Sequence, residues 1–284
     1  MSSGMERMKH QVAKSSVAVP TNQVAERRQA LHAVVAQRSV SGRDRARMWS
    51  EIADTVVSQS KVMRNENFQV TTGADLQRMA ELYDQKFFDG HCLSLARAFG
   101  IEFRWSKRMT SNGGKTVRYV QANRRDKTQS TRYEIVLSAT LLFQTFGDLE
   151  RPVRVTGLLC ENRLQAMQRI LEHEMIHLVE MLVWDDSCCA ATRFQTIAGR
   201  IFGHTEHKHN LITQQERASE KFNVRVGSTV RFTLDGVRYT GVVNRITRRA
   251  TVLVLDPQGQ LFGDGHRYRK FYVPLSHLEL ASRG

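Results

Sequence analysis

The sequence predicts an α+β fold: helices packed on a small three-stranded sheet, one helix long and carrying H-E-x-x-H, then a small basic β-barrel of the Src-homology-3 or Tudor type. Three observations carry this. Apolar residues recur at helical spacing through much of residues 1–221. Three short β-periodic runs lie together between 101 and 138. From residue 222 the pattern changes to short alternating strands bounded by turn residues. These shifts divide the chain into a basic, partly helical or disordered segment at 1–72, a mixed domain at 73–221 and a barrel at 222–284.

In the first segment Val24, Leu31 and Val34/Val35 mark one amphipathic helix. Met48, Ile52 and Val56 mark a second, with Asp44 near its N-cap. A short helix with one apolar stripe needs a surface to pack on, so each docks on the next domain or a partner, or stays disordered. In "GADLQRMAELYDQKFFDG", Leu76, Met79, Leu82/Tyr83 and Phe87 predict a helix that stops at Gly90. "IEFRW" (101–105), "KTVRYVQ" (115–121) and "RYEIVLS" (132–138) read as strands, and "SATLLFQTF" as a helix. A long helix follows at 162–184, and another at 191–203 that ends at Gly203. In the last region Asp235-Gly236 between two alternating runs is a hairpin signal.

The chain carries 42 Lys+Arg against 28 Asp+Glu, a net charge of +14. Such an excess suggests a polyanionic partner, and nucleic acid is the commonest for a soluble protein. In the barrel Arg245, Arg248, Arg249, Arg267, Arg269 and Lys270 stand among Tyr268, Phe271 and Tyr272. Cations interleaved with aromatics suit phosphate contacts and base stacking. Simple alternation, aromatics inward and arginines in water, accounts for the same pattern. "RRDK" (124–127) reads as a hairpin tip that can also touch phosphate.

The four cysteines, Cys92, Cys160, Cys188 and Cys189, form no C-x-x-C pair. That usage fits a reducing cytoplasm, with nucleoid or nuclear association if the protein is DNA-bound. No signal peptide and no membrane partner are expected, because no apolar run approaches the ~18 residues of a span. "SNGGKT" (111–116) resembles the end of a phosphate-binding loop, yet Met109 stands where the Walker pattern needs Gly. It is expected to be a Gly-rich hairpin turn, with no nucleotide bound.

The chemistry concentrates in "RILEHEMIHLVEMLVW", Arg169 to Trp184. At 100° per residue His173 and His177 fall about 40° apart with Glu180 on the same side, while Leu171, Met175, Leu178 and Leu182 lie opposite. Two imidazoles one turn apart can share one zinc ion. Glu174, a further 100° round from His173, stands beside such an ion and can take a proton from zinc-bound water. Two histidines do not complete a catalytic zinc site. The downstream candidates for a third ligand are Cys188, Cys189, His204, His207 and His209; Glu180 suits a supporting role better, since three ligands from one straight helix cannot surround a tetrahedral ion.

Residues 75–205 resemble the SprT-like zinc metalloprotease family, to which Spartan belongs. The matching stretches are "LQRMAELYDQKFFDG", "FRWSKRMTSNGGKT", "YEIVLSATLL", "ILEHEMIHLVE" and "RFQTIAGRIFGHT", in the family's order. The resemblance implies a zincin-like fold, His173 and His177 as zinc ligands, Glu174 as general base, and protein substrates associated with DNA, including DNA–protein crosslinks. The family's third ligand is usually the His of H-G-x-x-F. Aligned on Phe194, Ala190 and Ala191 occupy those places, and Cys189 is the nearest substitute, with Cys188 next. A thiolate donates more charge than an imidazole and leaves zinc a weaker Lewis acid. The zinc ribbon of some bacterial relatives is replaced here by the basic barrel. Three functions are therefore expected in competition: a zinc metalloendopeptidase brought to DNA, a non-catalytic zinc-stabilised module binding nucleic acid and protein, and a zinc hydrolase acting on another substrate.

Overall fold

The computed structural model describes residues 21–122, 129–147 and 149–281. The expected hairpin tip at 124–127 lies outside the described residues. The chain is mixed α+β. It begins with helices α1 (Thr21–Gln37), α2 (Gly42–Gln59), α3 (Gly73–Phe87) and α4 (His91–Phe99), followed by strands β1 (Ile101–Ser106), β2 (Gly114–Ala122) and β3 (Gln129–Ser138). Then come α5 (Ala139–Gln144), the hairpin β4 (Val153–Val155) and β5 (Leu158–Cys160), and α6 (Arg163–Trp184), α7 (Thr192–Phe202) and α8 (Gln214–Phe222). The last part holds β6 (Thr229–Leu234), β7 (Val237–Ile246), β8 (Ala250–Leu261), β9 (Arg267–Val273), a 3-10 turn at Leu275–His277 and β10 (Glu279–Leu280). Among the described residues no helix is long and apolar enough to cross a membrane.

α6 is the spine of the first core. Asn162 caps it by accepting from the Gln165 amide at 2.9 Å. Leu171, Met175, Leu178 and Leu182 are fully buried. The first sheet runs β1-β3-β2, with β1 parallel and β2 antiparallel to β3. β2 is therefore an edge strand, and it lies along α6.

The chain before residue 73 is not a separate unit. Leu31 and Val35 of α1, with Ile52 and Val56 of α2, are buried in the same core as α3 and α6. The Arg200 guanidinium donates to the carbonyls of Val35 and Ala36, and Gln168 Nε2 donates to Trp49 O at 3.0 Å. The two apolar stripes found their surface within the chain, so the boundary expected at 72 does not divide the core.

Other departures have local causes. Gly90, expected as a stop, adopts φ +79° and turns the chain directly into α4. The β4–β5 turn places both Thr156 and Gly157 at positive φ, 54° and 84°. That is the two-residue hairpin geometry, with a β-branched residue where Asn or Gly is the readable signal. Residues 111–116 are not a hairpin turn, because β1 and β2 flank β3 and do not pair with each other.

The second sheet has the order β10-β6-β7-β8-β9. Its own core holds Val230, Phe232, Val243, Val252 and Phe271, joined by Ala218 of α8. Pairing among the described residues leaves β9 and β10 as edges, so the expected barrel is not closed. β10 has two paired residues, Glu279 and Leu280, and both are taken up by β6.

Candidate metal centre

One turn of α6 brings the Nε2 atoms of His173 and His177 to 3.1 Å from each other. Two nitrogens on a tetrahedral zinc stand about 3.3 Å apart. The Phe194 ring, from α7, lies against both imidazoles at centroid distances of 4.9 and 4.6 Å. Asp185 ends α6 in the left-handed region, φ 58°, and turns the chain back over the helix. This return puts the Cys189 thiol within 4.8 Å of both imidazoles, in the one group of three such donors among the described residues. In a formed zinc site the sulfur–nitrogen separation is about 3.6 Å, so the loop has a short distance to close. Cys188 is exposed and lies outside that group.

The return loop is tied to a carboxylate. Glu180, fully buried, accepts from Ser187 Oγ at 2.8 Å, from the Cys188 amide at 3.3 Å and from Arg193 Nε at 2.6 Å. Ser187 has its hydroxyl proton committed to Glu180, so its oxygen accepts from His177 Nδ1 at 2.7 Å. That fixes the proton of His177 on Nδ1 and leaves Nε2 with its lone pair toward His173 and Cys189. Replacing Ser187 by Ala removes this relay, and zinc affinity is expected to fall about 10- to 100-fold, read by competition with a chromogenic chelator.

Glu174 occupies the space between α6 and the edge strand. Thr116 Oγ1 lies 2.8 Å from both the Glu174 carboxylate and its backbone carbonyl. Gly114 packs so closely that an added Cβ would stand 2.5 Å from Glu174 Oε1. Gly113 donates its amide to His209 Nε2 at 2.9 Å. The glycines of "SNGGKT" thus serve the approach of β2 to α6, a use of Gly that sequence alone signals only as a close backbone contact. Ser187, Thr116 and Gly114 were not legible as site residues.

Burial dominates the electrostatics. It lowers His173 to about 3, with His177 as the next cause, and it lowers His177 against the opposing effect of Glu180. Both imidazoles are therefore neutral at pH 7 with lone pairs available. Burial raises Glu174 to about 8, partly offset by Thr116, and raises the Cys189 thiol. A divalent cation at the cluster would favour carboxylate and thiolate instead.

The other expected ligands are placed elsewhere. His204 is buried and its Nε2 lies 2.9 Å from Glu172, which also pairs with Arg169 at 3.0 Å. His209 is held by Gly113. His207 shares with His209 the wall of a cleft of about 580 Å³ whose floor carries His173, Glu174, His177 and Cys189.

On the second sheet Arg245, Arg248, Arg249, Arg267, Arg269 and Lys270 are all exposed. Phe271 points inward and is 8% exposed, as alternation requires, but Tyr272 is 65% exposed beside them. Tyr268 is half-buried and donates to Asp264 at 2.8 Å. Comparison with protein-family models, curated proteins and solved structures found no match.

Proposed function

We propose that this chain is a zinc-dependent endopeptidase of SprT-like type that acts on proteins associated with DNA. The observation that carries this is the conjunction of two neutral imidazoles 3.1 Å apart with a thiol and an adjacent buried carboxyl, all at the floor of an open cleft. The donor set is of the nitrogen and sulfur kind that zinc takes, with the two nitrogens spaced close to tetrahedral and the thiol within 4.8 Å of them. Zinc bound there would supply Lewis acidity to a peptide carbonyl and to water. The chain's own residues supply the rest. Ser187 and Glu180 hold His177 in its ligating tautomer. Glu174 accepts the proton of the attacking water and returns it to the leaving amine. Thr116 and Gly114 hold that carboxylate against β2, and Phe194 covers the imidazoles on one side.

The finer fold reading rests on the same elements. Helices on a three-stranded sheet, an edge strand beside the long helix, and H-E-x-x-H on that helix support a zincin-like body. The strand order of the second sheet, with a 3-10 turn before a short last strand, supports a Src-homology-3 or Tudor-like module that is open at β9 and β10. The net charge of +14 and the exposed cations of that module support a DNA partner, and with it a nucleoid or nuclear setting. The competing reading, a zinc-stabilised module without catalysis, draws on the thiol where the family has an imidazole.

Cleavage of an unfolded protein and of a protein crosslinked to DNA, with and without a zinc chelator, tests the proposal. Gly114→Ala sharpens it. The added methyl meets Glu174 Oε1 at 2.5 Å and Cγ at 2.6 Å, so the carboxylate must shift. Activity is expected to fall about 100-fold with zinc content unchanged.

A further inference from the structure

Strand register divides the cations of the second sheet between its two faces. In β9, Phe271 and Val273 are buried in that sheet's core. By alternation Arg267 and Arg269 share their side, while Lys270 and Tyr272 point outward. Arg267 Nη1 donates to Gly259 O at 2.9 Å, and the Arg269 guanidinium lies 5.4 Å from the Phe271 ring centroid. On the outer face Tyr272 pairs with Thr251 of β8, and Thr251 pairs with Arg245 of β7. Ile246, next to Arg245, is buried, which sets Arg245 outward. Arg245, Thr251 and Tyr272 therefore form one row across three strands, spanning about 10 Å. The next row is Val242, Leu253 and Lys270. Tyr268 also points outward, but its hydroxyl donates to Asp264 and its ring meets Phe262 edge-on. The Tyr272 side chain is 65% exposed and has no such partner among the described residues. Lys270 Nζ donates to the neutral Gln260 Oε1 at 3.0 Å and lies 5.1 Å from the Phe262 centroid, so neither contact balances its charge. The chain has no Asp or Glu at 236–255 or 265–278, so the paired stretches of β7, β8 and β9 bring no acid to these two rows.

We infer that this outer face holds one strand of nucleic acid, with a base stacked on Tyr272 and neighbouring phosphates on Arg245 and Lys270. The inference rests on the nucleic-acid part of the proposed function and narrows the exposed cations to the two that share a face with the free ring. Cations whose strand neighbours carry no acid favour a polyanion. An exposed ring between them favours an unpaired base, because stacking on aromatics holds single strands without sequence readout. A duplex keeps its base faces inside its own stack and offers phosphates and base edges, so it gains nothing from the ring. An acidic peptide meets the cations and leaves the ring unused. Val242 and Leu253 continue the face as an apolar floor for sugars and base edges.

The test is binding of a labelled 12-residue oligothymidylate to the full chain, followed by fluorescence anisotropy over a range of salt. Tyr272→Leu is expected to weaken binding about tenfold, and Tyr272→Phe to retain it. Arg245→Gln and Lys270→Gln are each expected to reduce the salt slope by about 0.7. Arg267→Gln and Arg269→Gln remove the same charge from the other face and are expected to leave the slope unchanged. If Tyr272→Leu does not fold, this comparison of the two faces answers the same question. Equal losses from both pairs of arginine and lysine variants overturn the inference. So does unchanged affinity in a Tyr272→Leu variant that melts like wild type, or a 12-residue polyglutamate that binds as tightly as the oligomer. Tight binding of a 12-base-pair duplex, with no effect of Tyr272→Leu on either nucleic acid, overturns this face and leaves the DNA partner of the proposed function standing. The readout is binding alone, so its failure is also separate from any failure of the peptidase reading.

Discussion

Glu174→Gln is expected to lose peptide-bond cleavage by about 10²- to 10⁴-fold while retaining its zinc, because the amide fits the same space and cannot take a proton. The same variant has a second signature in the metal-free protein. Glu174 has its folded pKa raised to about 8 by burial, above the unfolded carboxylate value. Its contribution to stability is therefore complete below about pH 4.3 and is lost as pH rises toward 8, at up to about 1.4 kcal/mol per unit. His173 acts in the opposite direction and in a lower window. Its folded pKa of about 3 means that stability is lost as pH falls below about 6.5. Among the described residues with a shifted pKa, Glu174 is the one whose window covers pH 6.5 to 8. Thermal melts of the metal-free chain across that interval are expected to decline in wild type and to stay level in Glu174→Gln. A level wild-type curve would contradict a buried, proton-holding Glu174.

Removing zinc is expected to lower the melting temperature of wild type by about 8–16 °C. Ligand at a thousand times its dissociation constant stabilises by about 4 kcal/mol, and each kcal/mol moves a body of this size by about 2–4 °C. His177→Ala, which deletes the ligand held by Ser187, is expected to melt at one temperature with and without chelator. A wild type that melts identically in chelator and in zinc would remove the metal from the account. The same shift with Glu174→Gln fully active would leave the zinc and overturn the role given to Glu174.

The long helix and its paired imidazoles were legible in the sequence because a 3.6-residue period fixes which side chains share a face, whatever the helix packs against. The three strands at 101–138 were legible by their alternation. Their order was not, and β3 lies between β1 and β2. That order converts "SNGGKT" from a turn into the entry of an edge strand beside Glu174. The docking of α1 and α2 was left open because an amphipathic stripe records that a partner exists without recording which one. Likewise Ser187 is unremarkable in sequence. Its place between Glu180 and His177 depends on the left-handed turn at Asp185, a conformation that Asp tolerates better than most residues but does not by itself announce. Among the expected third ligands, spacing did not separate Cys189 from His204. Burial does, since His204 is held by Glu172, which neighbours His173 in α6 but points about 100° away from it.

The most direct measurement is zinc per chain by elemental mass spectrometry on wild type and Cys189→Ala, with Cys188→Ala as the comparison. The account predicts about one zinc in wild type and in Cys188→Ala, and loss of it in Cys189→Ala. Zinc retained in Cys189→Ala would contradict the two-histidine, one-cysteine centre. No zinc in wild type reloaded with the metal would contradict the centre altogether.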